Sequence, residues 1–154
     1  MRKGELVGIA APQIGIAKRL FVTEIRKTKY RNEGLDILRV FINPRITWVS
    51  KATITMYEGC GSVNSGNLFG KVTRPKSVEI AYIDEKGEKH KQKFVGLLAR
   101  VIQHEYDHLI GVEFMERVND YKKIIVGDYY RKTIRNSKLQ KQNSLITKIK
   151  YRSV

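Results

Sequence analysis

Three residues within five positions, His104, Glu105 and His108, have the types and spacing that can activate water on a metal ion. In a helix, residues four apart lie about 400° round the axis, so His104 and His108 project from one face, one turn apart. Two imidazoles so placed can grip one ion, and Glu105 beside them is within reach of a proton on a metal-bound water, the mechanical content of H-E-x-x-H. Histidines four apart also arise by chance on amphipathic helices, but this chain has only three histidines and two of them fall in the pattern. The pattern supplies two ligands, whereas a catalytic zinc-type site needs three and an open position. Cys60 is the only cysteine, so no internal disulfide is possible, and it is either a free buried thiol or the third ligand. It stands between Gly59 and Gly61, where low bulk leaves a thiolate room to reach a metal. One sulfur and two imidazole nitrogens suit zinc or ferrous iron and leave a fourth position for water.

The elements that must position these groups are legible around them. The helix starts near Gly96 or Leu97 and stops at Gly111; Leu97, Leu98, Val101, Ile102 and Leu109 make it apolar nearly all round. Such a helix is buried, so its His-Glu-His face must line an internal cleft. Arg19 to Ile25 and Arg39 to Asn43 read as strands, the second closed by Asn43-Pro44, with a polar surface loop from Arg26 to Asp36 between them. Ile46 to Tyr57 alternates β-branched and polar residues and predicts a strand or bent strand pair leading to Cys60. Asn64 to Gly70 reads as a loop, and Lys71 to Arg74 and Ser77 to Ile83 as strands. Asp84-Glu85-Lys86-Gly87 is a hairpin turn, with Glu88 to Phe94 returning. His90, among Lys89, Lys91 and Lys93, is expected to be exposed and unconnected to the chemistry. Val7 to Gly15 reads as a tight loop that lacks the glycine spacing and Lys-Ser/Thr pair of a phosphate loop; on its own, Gln13 is simply a loop residue. Past Val118, Tyr121, Ile124, Ile125, Tyr129 and Ile134 fall on one stripe of a terminal helix, and the last fifteen or so residues lack periodicity and are expected to be disordered.

The predicted fold class is therefore α+β: antiparallel or mixed β-sheets packed around a central helix carrying H-E-x-x-H, with a C-terminal helix. The expected organisation is a metallohydrolase domain over residues 1–118 and a basic helix or tail over 119–154. At 154 residues and 42% hydrophobic, the chain is long enough for one core. It has no apolar run long enough for a spanning helix and no signal-peptide pattern at Met1-Arg2-Lys3-Gly4-Glu5, which predicts a cytoplasmic protein. Thirty Lys and Arg against fifteen acids give a net +15, and residues 119–154 hold ten Lys and Arg against Asp120 and Asp128. Such an excess attracts polyanions through counterion release, without implying sequence-specific recognition.

Three separated segments, Gly8-Ile9-Ala10-Ala11-Pro12-Gln13, Glu58-Gly59-Cys60-Gly61-Ser62 and Gln103-His104-Glu105-Tyr106-Asp107-His108, together resemble the signature motifs of peptide deformylases, in the same order and spacing. The resemblance runs from about Val7 to Val118. It implies a metal-dependent hydrolase that removes the N-formyl group from the initiator methionine of new polypeptides. Ferrous iron is the usual physiological metal, with Zn2+, Ni2+ or Co2+ as other occupants. The ligands would be Cys60, His104 and His108, with Glu105 as general acid and base, and the Gln13 amide and Gly61 N–H as oxyanion donors. The methionine side chain would enter a pocket formed partly by Met56, Leu97 and Val101, and the peptide backbone would lie against Val7-Gly8 and Glu58-Gly59. Glu58 would pair with Arg74, and Asp107 would support the centre from behind. Formyl-methionyl nascent peptides are the implied partners, and the basic end agrees with docking on the ribosome. The sequence departs from the family pattern at Leu6, where a glycine is usual, and at Gly61, where a bulky apolar residue is usual. Asn64 replaces a common proline, in a loop to Gly70 that looks longer and lacks a familiar peptide-binding arginine. The family's N-terminal helix is apparently absent, since about six residues precede the first motif. The alternatives are a metallo-amidase or peptidase with another substrate, and an inactive, basic ribosome-binding homologue.

Overall fold

The computed structural model describes residues 1–2, 6–27 and 35–143; the segment 28–34 within the expected surface loop, and residues 144–154 of the chain end expected to be disordered, lie outside the described residues. Strands β1 (Gly8–Ala10), β2 (Leu20–Thr23), β3 (Arg39–Val49), β6 (Ser77–Ile83) and β7 (Lys89–Val95) form one sheet in the order β1-β2-β3-β6-β7. Strands β4 (Thr53–Glu58), β5 (Leu68–Pro75) and β8 (Ile125–Val126) form a second, in the order β4-β5-β8. Every strand pairing among the described residues is antiparallel. Helix α1 (Gly96–Leu109) packs on the first sheet, and with it encloses a core of Phe21, Phe41, Val78, Ile80, Phe94, Leu98 and Ile102. Burying each large apolar side chain contributes about 1.5–3 kcal/mol, and the Phe21 and Phe41 rings stack at 4.6 Å. Gly96 at φ 64 turns the chain from β7 straight into α1, a left-handed conformation that favours glycine.

Four expectations about local structure are corrected. Strand β3 does not close at Asn43-Pro44: Asn43 takes φ 49, the register shifts between Ile42 and Arg45, and the strand continues to Val49. A proline without an N–H is tolerated at such an irregularity. The alternating run 46–57 therefore divides between two sheets, its first part ending β3 and its second becoming β4. In the expected loop of residues 64–70, only Asn64–Gly66 is a turn, and β5 already begins at Leu68. The C-terminal stripe is not one helix. Tyr121–Lys123 is a single turn, and Ile125 and Val126 pair with Phe69 and Leu68 as β8. Helix α2 (Gly127–Tyr129) then runs into a wide turn over Tyr130–Ile134, followed by α3 (Lys138–Asn143). The strand at Ile125-Val126 suits two β-branched residues and interrupts helical periodicity. His90 is half-buried, against the Tyr82 ring at 5.1 Å and the Asp84 carboxylate at 2.7 Å. It pairs in register with Tyr82, whose side chain faces the core.

Candidate metal centre and cleft

Cys60 follows the end of β4, while His104 and His108 project from α1, and the fold brings a sulfur and two ring nitrogens within 4.8 Å of one another. Cys60 Sγ lies 3.3 Å from His108 Nε2. Each imidazole also meets a carboxylate through its other nitrogen: His104 Nδ1 is 3.2 Å from Glu58 Oε2, and His108 Nδ1 is 3.6 Å from Glu113 Oε1. Carboxylates on the far ring nitrogens are the usual way to fix the tautomer and aim of metal-binding histidines. The donor set and its supports thus fit a divalent ion of the zinc or ferrous type.

Charge within the cluster is distributed by these contacts. Burial alone would raise the Cys60 thiol, but hydrogen bonds with His104 and His108 outweigh it and bring its pKa down to about 6. Burial would lower His104, yet its bonds to Cys60 and Glu58 hold its pKa up at about 10 among the protein groups alone. Glu105 is 4% exposed, and burial pushes its carboxyl up to about 7 against the opposing pull of His104 and His108. Its Oε2 is buried without a hydrogen-bond partner. A carboxyl in that range can both take and return a proton near neutral pH. Gly8 makes room for it, since a Cβ there would overlap the Glu105 carboxylate.

Behind the cluster lies a buried ionic network. Arg74 donates from Nε and Nη2 to Glu58 at 2.8 and 3.0 Å, and from Nη1 to Asp107 at 2.8 Å. Arg100 also pairs with Glu58 and donates to the carbonyls of Ile54 and Val72. Arg117 binds Asp107 from the other side. Burial opposes the Glu58 charge, but His104, Arg74 and Arg100 hold its pKa far below the ordinary carboxylate range. The Glu58 carboxylate is thus committed to the protein.

The cleft beside the cluster is lined by Val7, Gly8, Gln13, Met56, Glu58, Gly59, Gly61, Leu97 and Val101, together with Cys60, His104 and Glu105. Arg74 and Asp107 are not part of its wall. Gln13 sits on the turn Ala11–Ile14, where its Oε1 accepts from the Ala10 N–H at 2.8 Å. Its Nε2 donates to Ser62 Oγ at 2.9 Å and lies 3.6 Å from Cys60 Sγ. Arg100, Glu113, Tyr130 and Gln140 belong to this environment but were absent from the sequence expectations. Arg100 did leave a signal, a charge in the apolar first half of the helix, one turn before His104; Tyr130 and Gln140 left none. A second cluster, Asp84, Glu88 and His90, caps the β6–β7 turn, where Asp84 accepts the Lys86 and Glu88 N–H groups.

Comparison with known proteins agrees with this arrangement. The sequence matches the family model described as polypeptide deformylase over residues 1–124. It is 45% identical over 114 residues to a peptide deformylase of Synechocystis sp., covering 74% of this chain and 58% of that protein. It is 39% identical over 123 residues to the peptide deformylase of Treponema pallidum, covering 80% of this chain and 69% of that one. The fold resembles the Met-Ala-Ser-bound class I type b peptide deformylase of Acinetobacter baumannii with a TM-score of 0.70 at 36% identity, over 77% of this chain and 74% of the other. The chain thus spans less than two thirds of the length of the Synechocystis relative.

Proposed function

The chain belongs to the peptide deformylase family, and from that premise we propose that it hydrolyses the formamide bond of N-formyl-methionyl peptides, releasing formate. The observation that carries the proposal is Glu105, a buried carboxyl with one unpartnered oxygen, placed beside a Cys-His-His donor set in a cleft. Cys60 Sγ and one ring nitrogen each of His104 and His108 would hold the divalent ion, which when bound supplies Lewis-acid charge and a water acidic enough to attack at neutral pH. Iron(II) is the metal that the family resemblance implies, and Zn2+, Ni2+ or Co2+ would suit the same donors.

The rest of the work falls to the protein's own groups. Glu105 takes a proton from the attacking water and delivers it to the leaving amine nitrogen. The Gln13 Nε2 and the Gly61 N–H donate to the former carbonyl oxygen as charge develops on it, each worth about 10²–10³ in rate. Glu58, Arg74 and Asp107 hold His104 and the β4 end in place. Met56, Leu97 and Val101 receive the methionine side chain, and the backbone edges at Val7-Gly8 and Glu58-Gly59 bind the peptide in extended form. The Met-Ala-Ser bound to the Acinetobacter relative supports a cleft that accepts an N-terminal methionine.

In this reading residues 1–118 carry the catalytic groups, and the basic segment 119–154, from which Tyr130 and Gln140 reach the cleft, is suited to the ribosome, with the protein acting in the cytoplasm on nascent chains. No helix among the described residues is long and apolar enough to cross a membrane. The test compares formyl-, acetyl- and unmodified Met-Ala-Ser as substrates. The proposal expects formate release to dominate; preferential cleavage of the acetylated or free peptide would replace it with an amidase or peptidase.

A further inference from the structure

Gly61 lacks a side chain for a reason other than backbone conformation. Its φ lies outside the left-handed region, so any residue could adopt its backbone. What a side chain there would meet is Leu6, which would have to give way by a few tenths of an ångström. A Cβ built on Gly61 would lie 3.1 Å from Leu6 Cδ1 and 3.4 Å from Cδ2, so the two methyls of Leu6 already fill that space. Leu6 reaches it from the other side of the cleft, just before β1, and both residues line the cleft. Its backbone is tied down there: the Leu6 carbonyl accepts from Arg26 Nη2 at 3.1 Å, and the Val7 carbonyl accepts from the Glu24 N–H at 2.8 Å. Arg26 is in turn paired with Glu24 at 3.3 Å.

Glycine has the largest backbone freedom of any residue, and Gly61 directly follows Cys60. A close-packed neighbour restricts that freedom as a side chain of its own would. We infer that Leu6 is a positioning residue: its side chain substitutes, from across the cleft, for the one that residue 61 lacks, and so fixes the Cys60–Gly61 turn and closes the cleft beside it. The inference rests on the deformylase reading for its catalytic consequence, but not for the packing itself. The two positions should therefore behave as one, with a single isobutyl group required at either.

The test compares the wild-type chain, Leu6→Gly, Gly61→Leu and the double swap. In the metal-loaded proteins, Leu6→Gly should lower kcat by about tenfold with little change in KM, and Gly61→Leu by at least as much, since the space is already filled. The swap should recover to within about threefold of wild type. In the metal-free proteins, the alkylation rate of Cys60, which is 2% exposed, should rise in Leu6→Gly and return towards the wild-type rate in the swap. Multiplicative losses in the swap, or an unchanged kcat and alkylation rate in Leu6→Gly, would overturn the inference. If the wild type releases no formate, the deformylase reading fails, and the alkylation pattern alone still decides whether Leu6 covers the turn.

Discussion

Replacing Gly8 with alanine tests how tightly the proposed base is held. A Cβ at position 8 would stand 2.7 Å from Glu105 Cδ and 2.8 Å from Cγ, whereas ordinary contact begins near 3.4 Å. The carboxyl must therefore withdraw by roughly 0.7 Å at Cδ, or β1 must move off α1 by the same amount. Retreat of β1 is opposed by its pairing with β2, from Gly8 opposite Thr23 to Ala10 opposite Phe21, and by the complete burial of Ala10. A catalytic group misplaced by about 1 Å can cost 10²-fold in rate, so Gly8→Ala should lower kcat by about 10- to 100-fold. Metal content should be unchanged, because the atoms nearest the added methyl all belong to Glu105, which is not a ligand. The assay is steady-state formate release, with metal analysis of the same preparation. A kcat within threefold of wild type at full metal occupancy would refute the reasoning that Gly8 is there to accommodate Glu105.

Two further predictions concern the groups around the centre. Glu58→Gln leaves Arg74 and Arg100 buried without their shared countercharge, which should cost about 3 kcal/mol in urea denaturation and weaken metal binding by about 10- to 100-fold. Because the Glu58 pKa is depressed in the folded protein, its contribution is complete above the ordinary glutamate value of 4.5 and is lost as pH falls from there towards the folded pKa. The stability difference between wild type and Glu58→Gln should accordingly shrink on acidification; a difference that grows would contradict the assigned pairing. Replacing the exposed Lys122, Lys123, Lys132, Lys138 and Lys141 with glutamine should weaken ribosome binding and flatten its dependence on salt. An unchanged salt slope in co-sedimentation would remove the basic segment from that role.

The parts of the molecule legible in the sequence are those whose signal is local or chemically restrictive. Helix α1 announced itself through an apolar run, and its His-Glu-His face through spacing. Cys60 could be joined to that face because a third ligand was needed and only one cysteine exists. What escaped were features decided by distant partners. Gln140 donates to the Tyr57 carbonyl 83 positions away, and Tyr130 stacks on Phe69 at 3.9 Å, neither of which leaves a periodic trace. β8 is two residues long and gains its identity only from pairing with β5. The continuation of β3 through Asn43-Pro44 ran against turn chemistry, because a bulge absorbed both residues. Leu6 and Gly61 each looked like a separate departure, and only their contact makes them one feature.

The central claim is that Glu105 works as the proton carrier of a Cys60-His104-His108 centre that cleaves formamides. The most direct measurement is formate release from a formyl-Met peptide by anaerobically purified wild type and Glu105→Gln, with the metal content of both determined. The account predicts one bound metal in each protein, formate from the wild type, and a rate lower by about 10²–10⁴-fold in the variant. A metal-loaded wild type that releases no formate, or a Glu105→Gln variant that releases it at the wild-type rate, would contradict it.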